Sequence, residues 1–185
     1  TPEELRSDNI NSLNFELPDE SKIKILFSEI TAVNLNLLKL NISCAIVGVK
    51  KSKPNHIKQL ADQLVKQTEM CNVKFIIVVD YNVDVHDTAT VIWRWANNID
   101  ARRDSFVINA KSENEISNIV MDGTRKTKKL DGFDRPWPNI LVMDSTTIQS
   151  INERWEKLNL GKLISSPSLR FSKEQNVKSA VFNEE

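Results

Sequence analysis

A short acidic stretch, Asp80–Asp87, holds the residues whose types and spacing could do chemistry. Within it, Asp80, Asn82 and Asp84 have the D-x-N-x-D spacing that opens a calcium-binding loop. Carboxylate and amide oxygens are the ligands that Ca²⁺ prefers in proteins. The first hypothesis raised by these residues is therefore a metal site.

The rest of the calcium pattern does not fit. The sixth position of such a loop should be glycine and is Val85, and the twelfth should be glutamate and is Val91. His86 has no second histidine at ligand spacing, because the other histidine of the chain is His56. We predict instead that Asp87 caps the following helix and that the other acidic residues are the hydrated end of a buried strand.

Other kinds of catalytic or binding site also find little support. The four glycines are too far apart for a phosphate-binding loop, and no G-x-S-x-G motif is present. Carboxylates are plentiful, but none lies inside an apolar segment where burial would raise its pKa. We therefore predict no catalytic, cofactor-binding or metal-binding residue in this chain.

The elements that position the acidic stretch follow from hydrophobic periodicity. Apolar runs predict an outer strand at 22–27, core strands at 42–49, 75–79 and 105–108, and another strand at 139–143. Helical spacing predicts helices around 57–65, 91–99 and 148–158, the last capped at Asp144–Ser145. This order predicts an α/β fold, a layered sandwich with a largely parallel or mixed central sheet flanked by helices. The predicted core consists of Ile46, Val47, Phe75, Ile76, Ile77, Val78 and Val79.

The predicted domain organisation has three parts. Residues 1–20 form a lead-in or linker, residues 21–160 an α/β domain and residues 161–185 a C-terminal tail. The first residue is Thr rather than Met, which predicts that the chain was cut from something longer.

Composition narrows the functional classes. Lys plus Arg and Asp plus Glu number 25 each, so no net charge favours nucleic acid or a membrane surface. No apolar stretch approaches the roughly 20 residues that span a bilayer. Two cysteines in 185 residues indicate a reducing compartment, and we predict a cytoplasmic location.

One irregular stretch, residues 121–140, is rich in Gly, Pro, Arg and aromatic residues. Long loops of this kind are usually functional or contact surfaces. Arg125, Arg135 and Trp137 could clamp an anion or anchor the loop on a neighbouring domain. We favour the contact role, since Arg and Trp are common interface anchors, and we include Asp122 among the interface candidates.

Four segments together resemble the C-terminal domain of the UbiD family of decarboxylases. The most specific is "KFIIVVDYNVDVHD…VIWRWANNIDARRD" at 74–104; the others are "VKKSKPNH" at 49–56, "DGTRK" at 122–126 and "GFDRPWP" at 132–138. The resemblance covers roughly residues 28–143. That family includes carboxy-lyases of ubiquinone and menaquinone synthesis that act on polyprenyl-hydroxybenzoate-type acids.

The resemblance implies a parent carboxy-lyase that uses prenylated flavin, with a divalent metal and potassium helping to hold the flavin phosphate. It also implies that most of the cofactor ligands lie in a preceding flavin-binding domain. The resemblance also implies that the catalytic Arg and Glu residues lie in that preceding domain, and nothing in this chain is similar to their motifs. This domain would pack on the flavin domain and contribute to a homo-oligomer, inactive alone, with Asp80–Asp87 facing a partner surface. Two alternatives stay open: a non-enzymatic self-association module and a small-ligand-binding α/β module.

Overall fold

The structure is a computed structural model that describes residues 17–67, 69–112 and 115–174. It divides the chain into two units, Thr1–Arg125 and Lys126–Glu185, called the first and second units below. Most of the predicted lead-in, residues 1–16, lies outside the described residues, as do residues 175–185 of the predicted tail.

The first unit is built on a five-stranded sheet with the order β1-β2-β3-β5-β4. The three central strands are parallel, and both edge strands are antiparallel to their neighbours. The predicted α/β fold with a mixed sheet is therefore confirmed. The strands are β1 Ile30–Asn34, β2 Cys44–Val49, β3 Phe75–Asp80, β4 Ser105–Ile108 and β5 Asn118–Asp122.

Four helices of the first unit flank this sheet or connect its strands. They are α1 Glu20–Leu26, α2 Asn36–Lys39, α3 His56–Gln67 and α4 Thr88–Asn98, and a 3₁₀ helix at Glu69–Asn72 follows α3. The predicted inner face of α3 is confirmed: its residues Ile57, Leu60, Ala61, Leu64 and Val65 are all buried. On α4, Val91 is buried as predicted, whereas Ile92 and Ala96 are exposed.

Central strands bury side chains on both faces, which explains their continuous apolar runs. One cluster gathers Val47, Ile76 and Val78 against α1 and α3, and the other gathers Ile46 and Ile77 against α4. Phe75, predicted as core, is 44% exposed because it begins β3 at the end of the sheet.

The prediction of an outer strand at 22–27 is wrong, because residues 22–26 belong to α1 and Phe27 is the C-cap of that helix. Asp19 caps the helix, accepting hydrogen bonds from the N–H groups of Ser21 and Lys22. Ile23 and Phe27, four residues apart, are buried on one face, whereas Ile25 is 81% exposed. The apolar run therefore has helical rather than strand periodicity. The edge strand beside β2 is instead β1, which the prediction missed.

Two further strand predictions need correction. Residues 105–108 form β4, an antiparallel edge strand rather than a core strand, and the third parallel strand is β5. Residues 139–143 form no strand, and Leu141 is 79% exposed. The short run "NIVMD" of β5 follows a polar interval, so its sequence carries a weaker signal than 139–143.

The second unit contains α5 Lys128–Asp131, α6 Ser145–Leu158 and a 3₁₀ helix at Pro167–Glu174. The predicted cap of α6 is confirmed, since the Asp144 carboxylate accepts a hydrogen bond from the Thr147 N–H. Gly132 ends α5 in the left-handed region, where a residue without Cβ costs least.

Candidate functional site

The candidate site lies where the three parallel strands end. Val49 pairs with Asp80 across β2 and β3, and Val78 pairs with Asp122 across β3 and β5. The last residues of β2, β3 and β5 therefore line one edge of the sheet, called the carboxyl edge below. In parallel α/β sheets this edge is where functional groups usually gather.

An ion pair joins two segments of the carboxyl edge. Asp80 Oδ2 accepts hydrogen bonds from the Arg125 backbone N–H at 3.0 Å and from Arg125 Nε at 3.1 Å. Their side chains are only 13% and 7% exposed. Lys51 Nζ donates to the Arg125 carbonyl oxygen at 2.7 Å, so segments from all three parallel strands meet at Arg125.

The remaining acids of the Asp80–Asp87 stretch have separate partners. Asp84 Oδ1 accepts from the His86 N–H at 2.9 Å, and Asp87 caps α4 by accepting from the Thr90 N–H at 3.1 Å. The cap at Asp87 confirms the predicted strand-to-helix role. These carboxylates do not converge, and within the described ranges no group of three His, Cys, Asp or Glu side chains could hold a metal ion.

Apolar contacts pin the same stretch to the sheet. Val83 and Val85 are buried in the cluster under α4. The Val85 carbonyl oxygen also accepts a 2.7 Å hydrogen bond from Asn34 Nδ2 on β1. The stretch is thus held at both its side chains and its backbone.

The turn after β5 packs unusually close to α4. Gly123 N–H donates to the Val78 carbonyl oxygen at 2.8 Å, and its own carbonyl oxygen accepts from Asn98 Nδ2 at 2.8 Å. A Cβ atom at Gly123 would lie 2.9 Å from the Trp95 Cα atom. Glycine is therefore required here by close backbone approach, a role that spacing in the sequence did not reveal.

The Asp104 side chain stabilises the end of the connection between α4 and β4 through hydrogen bonds. This side chain is buried, accepts from the Asp100 N–H at 2.8 Å and forms two hydrogen bonds with the Arg103 guanidinium. The hydrogen bond from Asp104 raises the pKa of Arg103 above its ordinary value. Asp122 performs a similar local task, accepting from the Thr124 N–H at 2.9 Å.

A buried histidine sits at the start of α3. His56 Nδ1 accepts a hydrogen bond from the Ser52 N–H at 3.1 Å, which assigns the ring proton of the neutral tautomer to Nε2. Nε2 then donates to Glu29 Oε1 at 3.3 Å. His56 thereby closes the turn that follows β2.

The four predicted contact residues fall into two groups. Asp122 and Arg125 are buried and form hydrogen bonds within the first unit. Arg135 is exposed and Trp137 half-buried, both in the second unit. The Trp137 ring packs edge-to-face on Phe133, with their centroids 5.3 Å apart. Arg135 and Trp137 are the two members of this set that a neighbouring surface could reach directly.

Two cavities and both thiols involve residues other than those described at the carboxyl edge. A cavity of about 460 Å³ opens beside Lys66, Cys71 and Lys111 in the first unit, and one of about 390 Å³ beside Ile151 and Trp155 in the second. Cys71 is exposed and Cys44 is buried in the core, where burial raises the pKa of its thiol.

No helix among the described residues is long and apolar enough to span a bilayer.

Comparison with known proteins identifies related chains. The family model of the 3-octaprenyl-4-hydroxybenzoate carboxy-lyase C-terminal domain matches residues 15–127. An uncharacterised protein of Aquifex aeolicus is 30% identical over 123 residues, which are 62% of this chain and 25% of that protein. An uncharacterised protein of Archaeoglobus fulgidus is 25% identical over 146 residues, covering 74% of this chain and 30% of its own length.

Among solved structures, the closed form of the vanillic acid decarboxylase of Sedimentibacter hydroxybenzoicus has a similar fold. The TM-score is 0.56 at 20% identity, over 77% of this chain and 31% of that one. The chain therefore spans between 25% and 31% of the length of these proteins.

Proposed function

Because the chain belongs to the UbiD family through its 3-octaprenyl-4-hydroxybenzoate carboxy-lyase C-terminal domain, we propose that it serves a decarboxylase as its C-terminal domain. The parent enzyme would remove carbon dioxide from aromatic or unsaturated acids without net oxidation, as a carboxy-lyase of the ubiquinone or menaquinone type. The domain would be inactive alone and would act by packing on a preceding flavin-binding domain and by oligomer contacts.

The observation that carries this proposal is that the charged residues of the carboxyl edge form hydrogen bonds within the domain itself. Asp80 is bonded to Arg125, Asp87 caps α4, and Asp122 bonds to Thr124. Catalytic acids and bases need a reacting group within hydrogen-bond reach. These side chains instead hold strand ends and turns together, which supports a structural domain whose chemistry lies elsewhere in the parent.

The described residues also do not fit a flavin phosphate with its metal. A Cβ atom at Gly123 would already lie 2.9 Å from Trp95 Cα and 3.0 Å from the Val78 carbonyl oxygen, so the glycine serves close packing on that side rather than the approach of a ligand. The acidic groups of the Asp80–Asp87 stretch point to separate partners. We therefore assign prenylated flavin, a divalent metal and potassium to the preceding domain of the parent, in a cytoplasmic enzyme.

A direct test compares the longer gene product with the 185-residue chain. Both are produced in cells that make prenylated flavin, and both are assayed for a bound chromophore and for carbon dioxide released from a panel of aromatic acids. We expect both signals from the longer product and neither from the 185-residue chain. A retained chromophore in the short chain, or a longer product without flavin or activity, contradicts the proposal and favours a non-enzymatic module.

The contact role of the 121–138 loop is tested separately. Trp137→Ala should weaken docking on the flavin-binding domain by about 2 kcal/mol, as the loss of an interface anchor does. Docking is measured by titrating the separately produced flavin-binding domain with the wild-type chain and the variant. Lys162→Ala, an exposed site in the same unit, is the matched control. Equal affinities of the two variants would remove Trp137 from the interface.

A further inference from the structure

We propose that the outer edge of β4 is an open docking edge that pairs with β4 of a second copy of this chain. The pairing is antiparallel and joins two five-stranded sheets into one continuous sheet. This inference deepens the oligomer-contact part of the proposed function and rests on that part alone, independent of the decarboxylase assignment.

The hydrogen-bond alternation of an antiparallel pair shows which groups of β4 face outward. Asp122 N–H donates to the Asp104 carbonyl oxygen at 2.8 Å, so Asp104 and Asp122 are a hydrogen-bonded pair. With the register Phe106 to Val120, every second residue repeats this pairing. Phe106 and Ile108 therefore use their backbone groups toward β5, whereas Ser105 and Val107 direct theirs to the opposite edge.

That opposite edge has no partner among the described residues. β4 is the last strand of the sheet, and the backbone hydrogen bonds outside helices and strands do not use Ser105 or Val107. The Val107 side chain is 58% exposed, so water reaches the edge. Two N–H and two C=O groups are thus presented in the extended geometry that another strand recognises.

The two edges of the sheet differ in their protection. β1 carries a register irregularity between Ile30 and Ala32, the kind of bulge that blocks pairing with a further strand. β4, with the sequence Ser-Phe-Val-Ile, has no charge, no proline and an unbroken register with β5. Its remaining protection is its length of four residues.

We assign a second copy to this edge, because two β4 strands can pair there about a two-fold axis without placing like charges opposite each other. When Ser105 of one copy lies opposite Val107 of the other, the two-fold symmetric pairing places Phe106 opposite Phe106. Both outward residues of each copy then exchange hydrogen bonds, four in total. The central Phe106 pair adds the kind of aromatic cross-strand contact that stabilises antiparallel sheets.

Charge does not oppose this register. Continuing it outward places Arg103 of one copy opposite Asn109 of the other, so like charges do not face each other. Arg103 already carries its own counter-ion in Asp104, at 2.6 Å. Because the paired segment is short, we expect association only at protein concentrations of about 10 µM or more.

The first test changes the edge without touching the core. Val107→Lys places a charge on the open edge, and Ile25→Lys makes the same replacement on the exposed side of α1, where Ile25 is 81% exposed. Sedimentation equilibrium of the 185-residue chain should give a dimer dissociation constant at least about tenfold higher for Val107→Lys than for Ile25→Lys. Circular dichroism confirms that both variants keep the fold.

The second test reports the register. In a Cys71→Ser background, Ser105→Cys and Val107→Cys chains are mixed under mild oxidation. Directly opposed residues lie about 5.5 Å apart between Cα atoms, within the range that a disulfide bridges. We expect the mixture to form the 105–107 heterodimer faster than either chain forms its homodimer.

The outcomes separate this proposal from the others. A chain that stays monomeric at about 500 µM, equal dissociation constants for the two lysine variants, or homodimers faster than the heterodimer would each overturn β4 pairing. Any of these results with an active decarboxylase parent leaves the proposed catalytic function standing. If β4 pairing is intact but the longer parent protein has no decarboxylase activity, the proposed catalytic function is overturned and the β4 pairing stands.

Discussion

Asp80 and Arg125 are 45 positions apart in the sequence, yet one carboxylate oxygen of Asp80 accepts from both the backbone N–H and the side-chain Nε of Arg125. The pair ties the end of β3 to the turn that follows β5. Both side chains are largely buried. Loss of the carboxylate should therefore lower the stability of the fold far more than loss of one partner of an exposed ion pair would.

Asp80→Ala should therefore lower the free energy of unfolding by about 3 kcal/mol, because it removes the carboxylate from a buried guanidinium. Asp84→Ala, which loses an exposed bond to the His86 N–H, should cost about 1 kcal/mol or less. Urea unfolding of the two variants checks the difference. Similar values for both would show that the Asp80–Arg125 pair contributes little.

Gly123→Ala should destabilise the first unit by about 1–3 kcal/mol through overpacking. The added Cβ would meet backbone atoms of Trp95 and Val78 at 2.9 and 3.0 Å, and backbone cannot rotate away. Gly48→Ala is the matched control, because its closest neighbour is the Thr31 hydroxyl at 3.3 Å. Thermal unfolding should show the larger loss at position 123, and the reverse order would contradict the close packing of α4.

Ile77→Ala should cost about 2–5 kcal/mol, since Ile77 is 5% exposed and its removal leaves a cavity under α4. Phe75→Ala on the same strand should cost clearly less, because Phe75 is 44% exposed. Denaturant unfolding measures both. If Phe75→Ala proved as costly as Ile77→Ala, the placement of Phe75 at the edge of the core would be wrong.

Calcium, magnesium and zinc should leave the melting temperature within about 2 °C of the metal-free value. A ligand present at 100 times its dissociation constant adds roughly 2.7 kcal/mol, which is a shift of about 5–10 °C for a domain of this size. Scanning fluorimetry at millimolar metal makes the measurement. A calcium-induced shift of that size, lost in Asp84→Asn, would restore a metal role for the Asp80–Asp87 stretch.

The cap of α6 should weaken in acid. Hydrogen bonds from the side chain and backbone of Thr147 hold the pKa of Asp144 below its ordinary value. The ionised form is thus favoured by folding, so its stabilisation is present above the ordinary pKa of about 3.9 and is lost as pH falls through the lower folded value. Asp144→Ala should melt below wild type at pH 7, and the gap should narrow as pH falls through the lowered pKa of Asp144. A gap independent of pH would contradict a charged cap.

Several features of this protein are determined by local sequence. The i, i+3, i+7 spacing of Ile57, Leu60 and Leu64 defines α3, and Asp87 and Asp144 cap their helices as predicted. The continuous apolar run of β3 correctly predicts a strand covered on both faces. These signals arise within one or two turns of chain, where periodicity and capping act.

Tertiary structure decided the rest, because pairing between distant segments leaves no trace in local periodicity. The runs at 105–108 and 118–122 differ little as sequences, yet one lies at the edge and the other between two strands. The partner of Asp80 is 45 residues away and that of Lys51 is 74 residues away. Nothing in the spacing of these charges reveals that they meet at Arg125, because only the parallel register of β2, β3 and β5 brings their ends to one edge.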